Sequence, residues 1–266
     1  MNGEILALIA TVAAFDTRTT VTTSTAGFEF VEWVRFELWT PGATAPAEAT
    51  DSFDAWFNGL HGRGVTRLLL AVPGLNTGGP FPDRRQFGFI NTPGWFLIGA
   101  GPRRERWRVL WRVGNQQAPD RRIWQILFQG VVADGSDPPT VSAPRPIVDE
   151  TNNLISALDT AYRFAVRADL QPWPDSFARA LRIATSPPEP PPAEAAYQGA
   201  LLPPGWRSPE VRRLLRTALA ASVFGGMATW NDVATRNAAD AAEHDRVSHE
   251  LFVAMLAAYA TGVNSA

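Results

Sequence analysis

A composition break at a proline-rich stretch divides this chain and limits what each side of it can fold into. Residues 134–146, Asp-Gly-Ser-Asp-Pro-Pro-Thr-Val-Ser-Ala-Pro-Arg-Pro, separate a half rich in aromatic and β-branched residues from a half rich in Ala and Leu. Seven of the 10 Trp precede the break, which favours strands before it and helices after it. A second stretch, 185–209, contains Pro187, Pro188, Pro190, Pro191, Pro192, Pro203, Pro204 and Pro209 and reads as an extended connector between helices. The expected organisation is a β-rich α+β domain over 1–133, a linker over 134–146 and a helical domain over 147–266 that contains the connector.

Period two is clearest in Arg106-Trp-Arg-Val-Leu-Trp-Arg-Val113. Trp107, Val109, Trp111 and Val113 fall on one face, and Arg106, Arg108 and Arg112 on the other. After the polar turn 114–120, residues 122–129 are apolar at almost every position, so the two runs pair as a hairpin with the second strand more central. Residues 28–39, 65–72 and 95–100 read as further strands. Residues 5–15 also read as a strand, with a helix as the alternative that their Ala content suggests. Phe53, Trp56, Phe57 and Leu60 stand at i, i+3, i+4 and i+7 behind capping residues and predict a short amphipathic helix over 51–60.

Beyond the break, Leu154, Leu158, Ala161 and Ala165 make one stripe of a helix over 150–169. Ser208-Pro209-Glu210 is an N-cap, a proline at the first helical position and an acid on the positive end of the dipole, and predicts a helix to Phe224. A last helix over 239–260 is expected to end at a left-handed Gly262, with Asn264 following the helix. An aromatic antiparallel sheet with one short helix, followed by a helical bundle, makes an α+β protein.

What is missing excludes whole chemistries. With 0 Cys there is no disulfide framework, thiolate metal site or cysteine nucleophile. All 24 basic residues are Arg, so there is no Walker lysine, no Schiff base and no Ser-x-x-Lys hydrolase. A GC-rich, bacterial genome that writes Arg by default explains the missing Lys, and escape from lysine-directed tagging is the sharper alternative. The net charge is −2, with 13 Arg against 13 acids before residue 144 and 11 against 13 after it, so no global field points to nucleic acid or to an anionic membrane. No basic leader and no apolar run of spanning length is visible, and the expectation is a soluble cytoplasmic protein.

Candidate sites are few. His61 lies in a glycine turn, and His244 and His249 are five residues apart, the wrong spacing for a zinc helix. Asp245 with His249 has i, i+4 spacing, which suits an ion pair as well as two ligands. Asp240, His244 and Ser248 imitate a triad that one straight helix cannot make converge. The segment 73–94 is long for a loop in a compact domain and carries Asn76, Thr77, Asp83, Arg84, Arg85 and Asn91 as binding candidates. The arginine row Arg106, Arg108 and Arg112 suits phosphates or an acidic surface, although base stacking would need outward tryptophans, and those of this strand face the core. The corner 224–232 adds Trp230, Asn231 and Asp232.

No catalytic set, metal or cofactor is selected by these residues. The expected function is a non-enzymatic accessory subunit that docks on a protein partner through the aromatic sheet and the 73–94 loop. Two alternatives stand beside it: a carboxylate or histidine enzyme using Asp83, Arg84, Asp232, His244 or His249 in a cleft between sheet and helices, and a nucleic-acid binder using the arginine hairpin.

Overall fold

The computed structural model describes residues 3–22, 24–75, 82–87, 91, 95–132, 141, 144–187, 202, 205–225 and 228–265. Their order is α1 (Gly3–Thr17), β1 (Val31–Trp39), β2 (Glu48–Thr50), α2 (Phe53–Gly62), β3 (Arg67–Ala71), β4 (Phe96–Ala100), β5 (Glu105–Val113), β6 (Trp124–Val132), α3 (Ile147–Arg167), α4 (Trp173–Thr185), α5 (Pro209–Ala220), a 3-10 turn (Trp230–Asp232) and α6 (Ala238–Asn264). The architecture is α+β, with one six-stranded sheet in the order β2-β1-β6-β5-β4-β3 followed by the helices. Most of the proline-rich linker, and residues 188–201 of the connector, lie outside the described residues.

The predicted hairpin of β5 and β6 forms, with Trp107 opposite Gly130 and Trp111 opposite Ile126. Four strand pairings are antiparallel, but β1 runs parallel to β6, with Phe36 opposite Phe128. This departs from the all-antiparallel reading, and local sequence does not encode it, because the two strands are joined only through everything between them. α2 supplies the crossover from one sheet edge to the other. Ser52 caps it by accepting from Ala55 N, and its buried stripe Phe53, Trp56, Phe57 and Leu60 lies on the sheet. Trp56 stacks on Phe36 at 4.3 Å between ring centroids and meets Trp107 edge-on at 5.1 Å.

The strand expected over 5–15 is instead helix α1, and every residue from Glu4 to Phe15 is buried. A helix covered on all sides loses its amphipathic stripe, so period cannot reveal it, whereas its length and four alanines favour the helix. The chain returns close over it at Gly27, where φ is +89° and a Cβ would lie 2.6 Å from Ala7 N, leaving room only for glycine. Gly262 is likewise not a C-cap. It lies inside α6, where a Cβ would meet Leu215 at 2.6 Å, and the helix continues to Asn264 because the glycine is there for close packing on α5.

An ion pair between half-buried Arg63 and buried Glu105 ties α2 to the sheet. Arg63, just past α2, donates from Nε to Glu105 Oε1 at 2.5 Å and from Nη1 to Glu48 at 2.5 Å, while Trp107 Nε1 donates to Glu105 Oε2 at 3.1 Å. Two asparagine amides finish the sheet where strands run out. Asn264 Oδ1 accepts from Leu70 N at 2.7 Å and its Nδ2 donates to Leu70 O at 2.9 Å, on the free edge of β3. Asn91 does the same for Trp111, accepting from its N at 2.6 Å and donating to its O at 2.9 Å, beyond the point where β4 begins. Each amide replaces one peptide of a missing strand, so buried backbone groups keep their partners.

Asn91 N in turn donates to Glu4 Oε1 at 2.9 Å, and burial pushes the Glu4 carboxyl up to about 7, against the lowering effect of that hydrogen bond. The unfolded carboxyl ionises near 4.5, so between these values the folded chain holds the extra proton and stability falls as pH rises through the window. Glu4→Gln keeps the acceptor and removes this penalty. It is expected to stabilise the protein at pH 8 by up to about 3 kcal/mol and to have little effect near pH 4.5. Urea titrations of both proteins at the two pH values check this, and an equal effect at both would contradict it.

Candidate functional site

The three segments singled out along the chain as polar candidates meet at one place. Arg84, in the turn 84–87, is 7% exposed and donates from Nη1 to Asn231 Oδ1 at 3.0 Å and from Nη2 to Asp245 Oδ1. Asn231 Nδ2 returns a bond to Arg84 O at 2.9 Å, and Arg85 donates to the same Asp245 oxygen at 2.9 Å. Burial lowers the Arg84 pKa, an effect that Asp245 partly offsets. The Asp245 carboxyl is held below the ordinary range, against slight burial, by the Arg85 hydrogen bond and the two guanidinium charges.

Behind this latch Trp230 is fully buried among Phe164, Trp173 and Phe177, and its Nε1 donates to Ser248 Oγ at 2.7 Å. His244 lies against the same indole with Nε2 3.0 Å from Trp230 O, which requires that nitrogen to carry the proton. Burial, and then the Arg84 charge, lower the His244 pKa, so it packs as a neutral ring. Asp232 completes a capping box with Thr229.

Arg84 is thus committed to Asn231 and Asp245, Asn231 to Arg84 and backbone, His244 to the Trp230 carbonyl and Ser248 to the Trp230 indole. The grouping joins the 82–87 segment to the helical half. Asp240 serves the α6 N-terminus, whose cap is Asn237, and Asp83 Oδ1 accepts from Arg85 N at 2.9 Å. Asn91 is the edge amide already described, at φ 65°. Asn76 and Thr77 lie outside the described residues. Among the described residues no three His, Asp or Glu side chains come together as a metal-binding group, and no helix is long and apolar enough to cross a membrane.

A different surface gathers the arginine row. α2 covers one face of the sheet, and Arg106, Arg108 and Arg112 project from the other, all three exposed. None of the three makes an ion pair among the described residues. The strand register sets their neighbours. Arg106 shares a row with Trp39, Val131 and Ile98; Arg108 with Glu37, Gln129 and Phe96; Arg112 with Trp33 and Gln125. The Arg106 guanidinium stands 5.0 Å over the Phe96 ring. Trp33 is 36% exposed, and Trp39 is oriented by an Nε1 bond of 3.1 Å to Glu37 Oε2, whose other oxygen takes Arg35 Nε at 2.9 Å.

Strand β1 therefore supplies the outward tryptophans that β5 does not. The signal was present in the sequence: Trp33, Arg35, Glu37 and Trp39 alternate with Phe36 and Leu38, so the charged residues mark the face that both Trp share. What local pattern could not reveal is that parallel pairing with β6 sets this face beside the arginines. A cavity of about 330 Å³ opens at the same end of β1, lined by Val21, Phe28, Trp33, Asp51, Phe53 and Asp54 among others. Comparison of the chain with protein-family models, with curated proteins and with solved structures gave no match.

Proposed function

We propose that this protein is a non-catalytic binding module and that its outer sheet face docks a negatively charged macromolecule. The observation that carries this reading is the row of three exposed arginines, without ion pairs among the described residues, at the centre of a sheet face that also holds Trp33, Trp39 and Phe96. An arginine left unpaired beside aromatic surface retains its full charge and its planar fork for carboxylates or phosphates, and aromatic and arginine residues are the usual anchors of binding surfaces. The buried commitments of Arg84 and His244 support the same reading, since they leave those groups to hold the fold together.

Retention on immobilised heparin in about 0.1 M salt tests it. The wild-type chain is expected to bind and to elute with salt, and the triple variant Arg106→Glu, Arg108→Glu, Arg112→Glu to pass through with an unchanged circular dichroism spectrum. Passage of both proteins, or equal retention of both, overturns the proposal.

A further inference from the structure

The outer sheet face offers more than positive charge, and the added features select among polyanions. Trp33 and Trp39 stand six residues apart on β1, and Arg106 and Arg112 six residues apart on β5, so each pair spans about 20 Å along the sheet at roughly 3.3 Å per residue. The register sets Trp39 in the row of Arg106 and Trp33 in the row of Arg112, with one strand, β6, between them. Two strand spacings of about 4.8 Å separate the backbone of each tryptophan from that of its arginine, and with side chains of this length the pair spans about the reach of one nucleotide from its base to its phosphate. The residues of β6 in between, Gln125, Leu127, Gln129 and Val131, are half-buried and carry no charge. A floor of this kind lets a sugar lie flat, and Gln129 presents an amide to a base edge, whereas the Gln125 amide already donates to Glu32 Oε2 at 3.1 Å.

Electrostatics orders the same face. Two carboxylates reach this face, and each is engaged: Glu37 by Arg35 and the Trp39 indole, so that it holds a ring in place, and Glu32, at the Trp33 end, by the Gln125 amide at 3.1 Å. Arg106, Arg108 and Arg112 have no such partner among the described residues, and Arg106 is itself laid over an aromatic ring. Alternating cation and aromatic surface is how single strands are held without sequence readout: phosphates on guanidinium groups, base faces on rings. A duplex hides its base faces inside the stack, and a sulfated polysaccharide or an acidic peptide has none.

We infer that the occupant of this face is a single-stranded nucleic acid, with Trp33 and Trp39 stacking bases and Arg106, Arg108 and Arg112 taking phosphates over about four nucleotides. The inference rests on the reading of the outer sheet face as a polyanion-docking surface and names its ligand class.

Fluorescence anisotropy with labelled ten-nucleotide uridine and thymidine oligomers, a duplex of the same length and labelled heparin tests it. Both single strands are expected to bind at low salt, with a slope of log affinity on log salt of about −2 for three phosphates. The duplex should bind at least about tenfold more weakly, since it offers the arginines phosphates but no rings to stack. Trp33→Ala and Trp39→Leu should each weaken single-strand binding about tenfold and leave heparin binding unchanged. Trp39→Leu retains the apolar packing of a half-buried ring, and Trp33→Ala removes an exposed one, so the pair separates loss of stacking from loss of fold. A difference between the uridine and thymidine oligomers would assign RNA or DNA within the same chemistry. Heparin binding that depends on the three arginines, without preference for single strands or without effect of the Trp variants, leaves the docking reading standing and overturns this one. Binding to none of the four probes overturns both.

Discussion

Replacing Asn264 with leucine is expected to cost about 3 kcal/mol, since two buried backbone groups would lose their partners at roughly 1–3 kcal/mol each. Asn264 is 3% exposed, and its side-chain amide satisfies both Leu70 N and Leu70 O on the outer edge of β3. Arg67, three residues earlier on the same strand, donates to Asn264 O at 2.7 Å, so the end of α6 and the sheet edge satisfy one another. Asn264→Asp provides an isosteric control: it retains an acceptor for Leu70 N but turns a carboxylate oxygen toward Leu70 O, and should be at least as destabilising at pH 7. Urea unfolding at pH 7 reads both variants. A midpoint unchanged from wild type would mean that the edge is satisfied in some other way.

Gly130→Val should be of similar size and act at the centre of the sheet. A Cβ at this position would lie 2.7 Å from Cδ2, Cε3 and Cζ3 of Trp107, its direct partner across the β5–β6 ladder. Neither side can retreat. Trp107 is 1% exposed, meets Trp56 edge-on and is anchored by its Nε1 bond to Glu105, and both strands are flanked by others. Overpacking of this kind costs typically about 1–3 kcal/mol, and the upper end applies where backbone opposes a rigid ring. The variant is expected to lower the melting temperature by roughly 5 °C or more for a chain of this size. Because Arg106 and Arg108 flank Trp107 on the same strand, displacement of β5 should also weaken heparin retention. A variant with wild-type stability would refute the tight seating of Trp107 over Gly130.

How legible these features were in the sequence depended on how local their causes are. The β5–β6 hairpin, α2 and the α3 stripe were readable because each is written in a period of two or 3.6 over about ten residues. The Ser208 cap was readable because its chemistry is confined to one helical turn, and its Oγ does accept from Val211 N. Helix α1 was misread because burial on every side erased the pattern that distinguishes helix from strand. Gly262 was misread because a glycine packed for contact and a glycine used as a cap look the same in sequence.

The candidate site divides in the same way. Arg84, Asn231 and Asp245 were each noted as polar groups, yet the bonds joining them span 147 and 161 residues of chain, beyond any local pattern. The double role of asparagine amides as substitute strands at Leu70 and Trp111 leaves no motif, because it depends on where neighbouring strands stop. The outward Trp33 and Trp39 were within reach of period-two reasoning. On β5 the tryptophans face the core and on β1 they face outward, so the same residue type marks opposite faces of one sheet.

Contact between a ligand and the outer sheet face can be read directly from the ten tryptophans. Their indole N–H groups give separate signals in a nitrogen-edited NMR spectrum, and a single-stranded oligonucleotide can be titrated into the labelled protein while they are watched. The signals of Trp33 and Trp39 are expected to shift progressively, while those of Trp56 and Trp107, buried between α2 and the sheet, and of Trp230, buried among the helices, remain in place. Shifts confined to the buried set, or a titration that leaves Trp33 and Trp39 unmoved as other signals change, would contradict docking at this face.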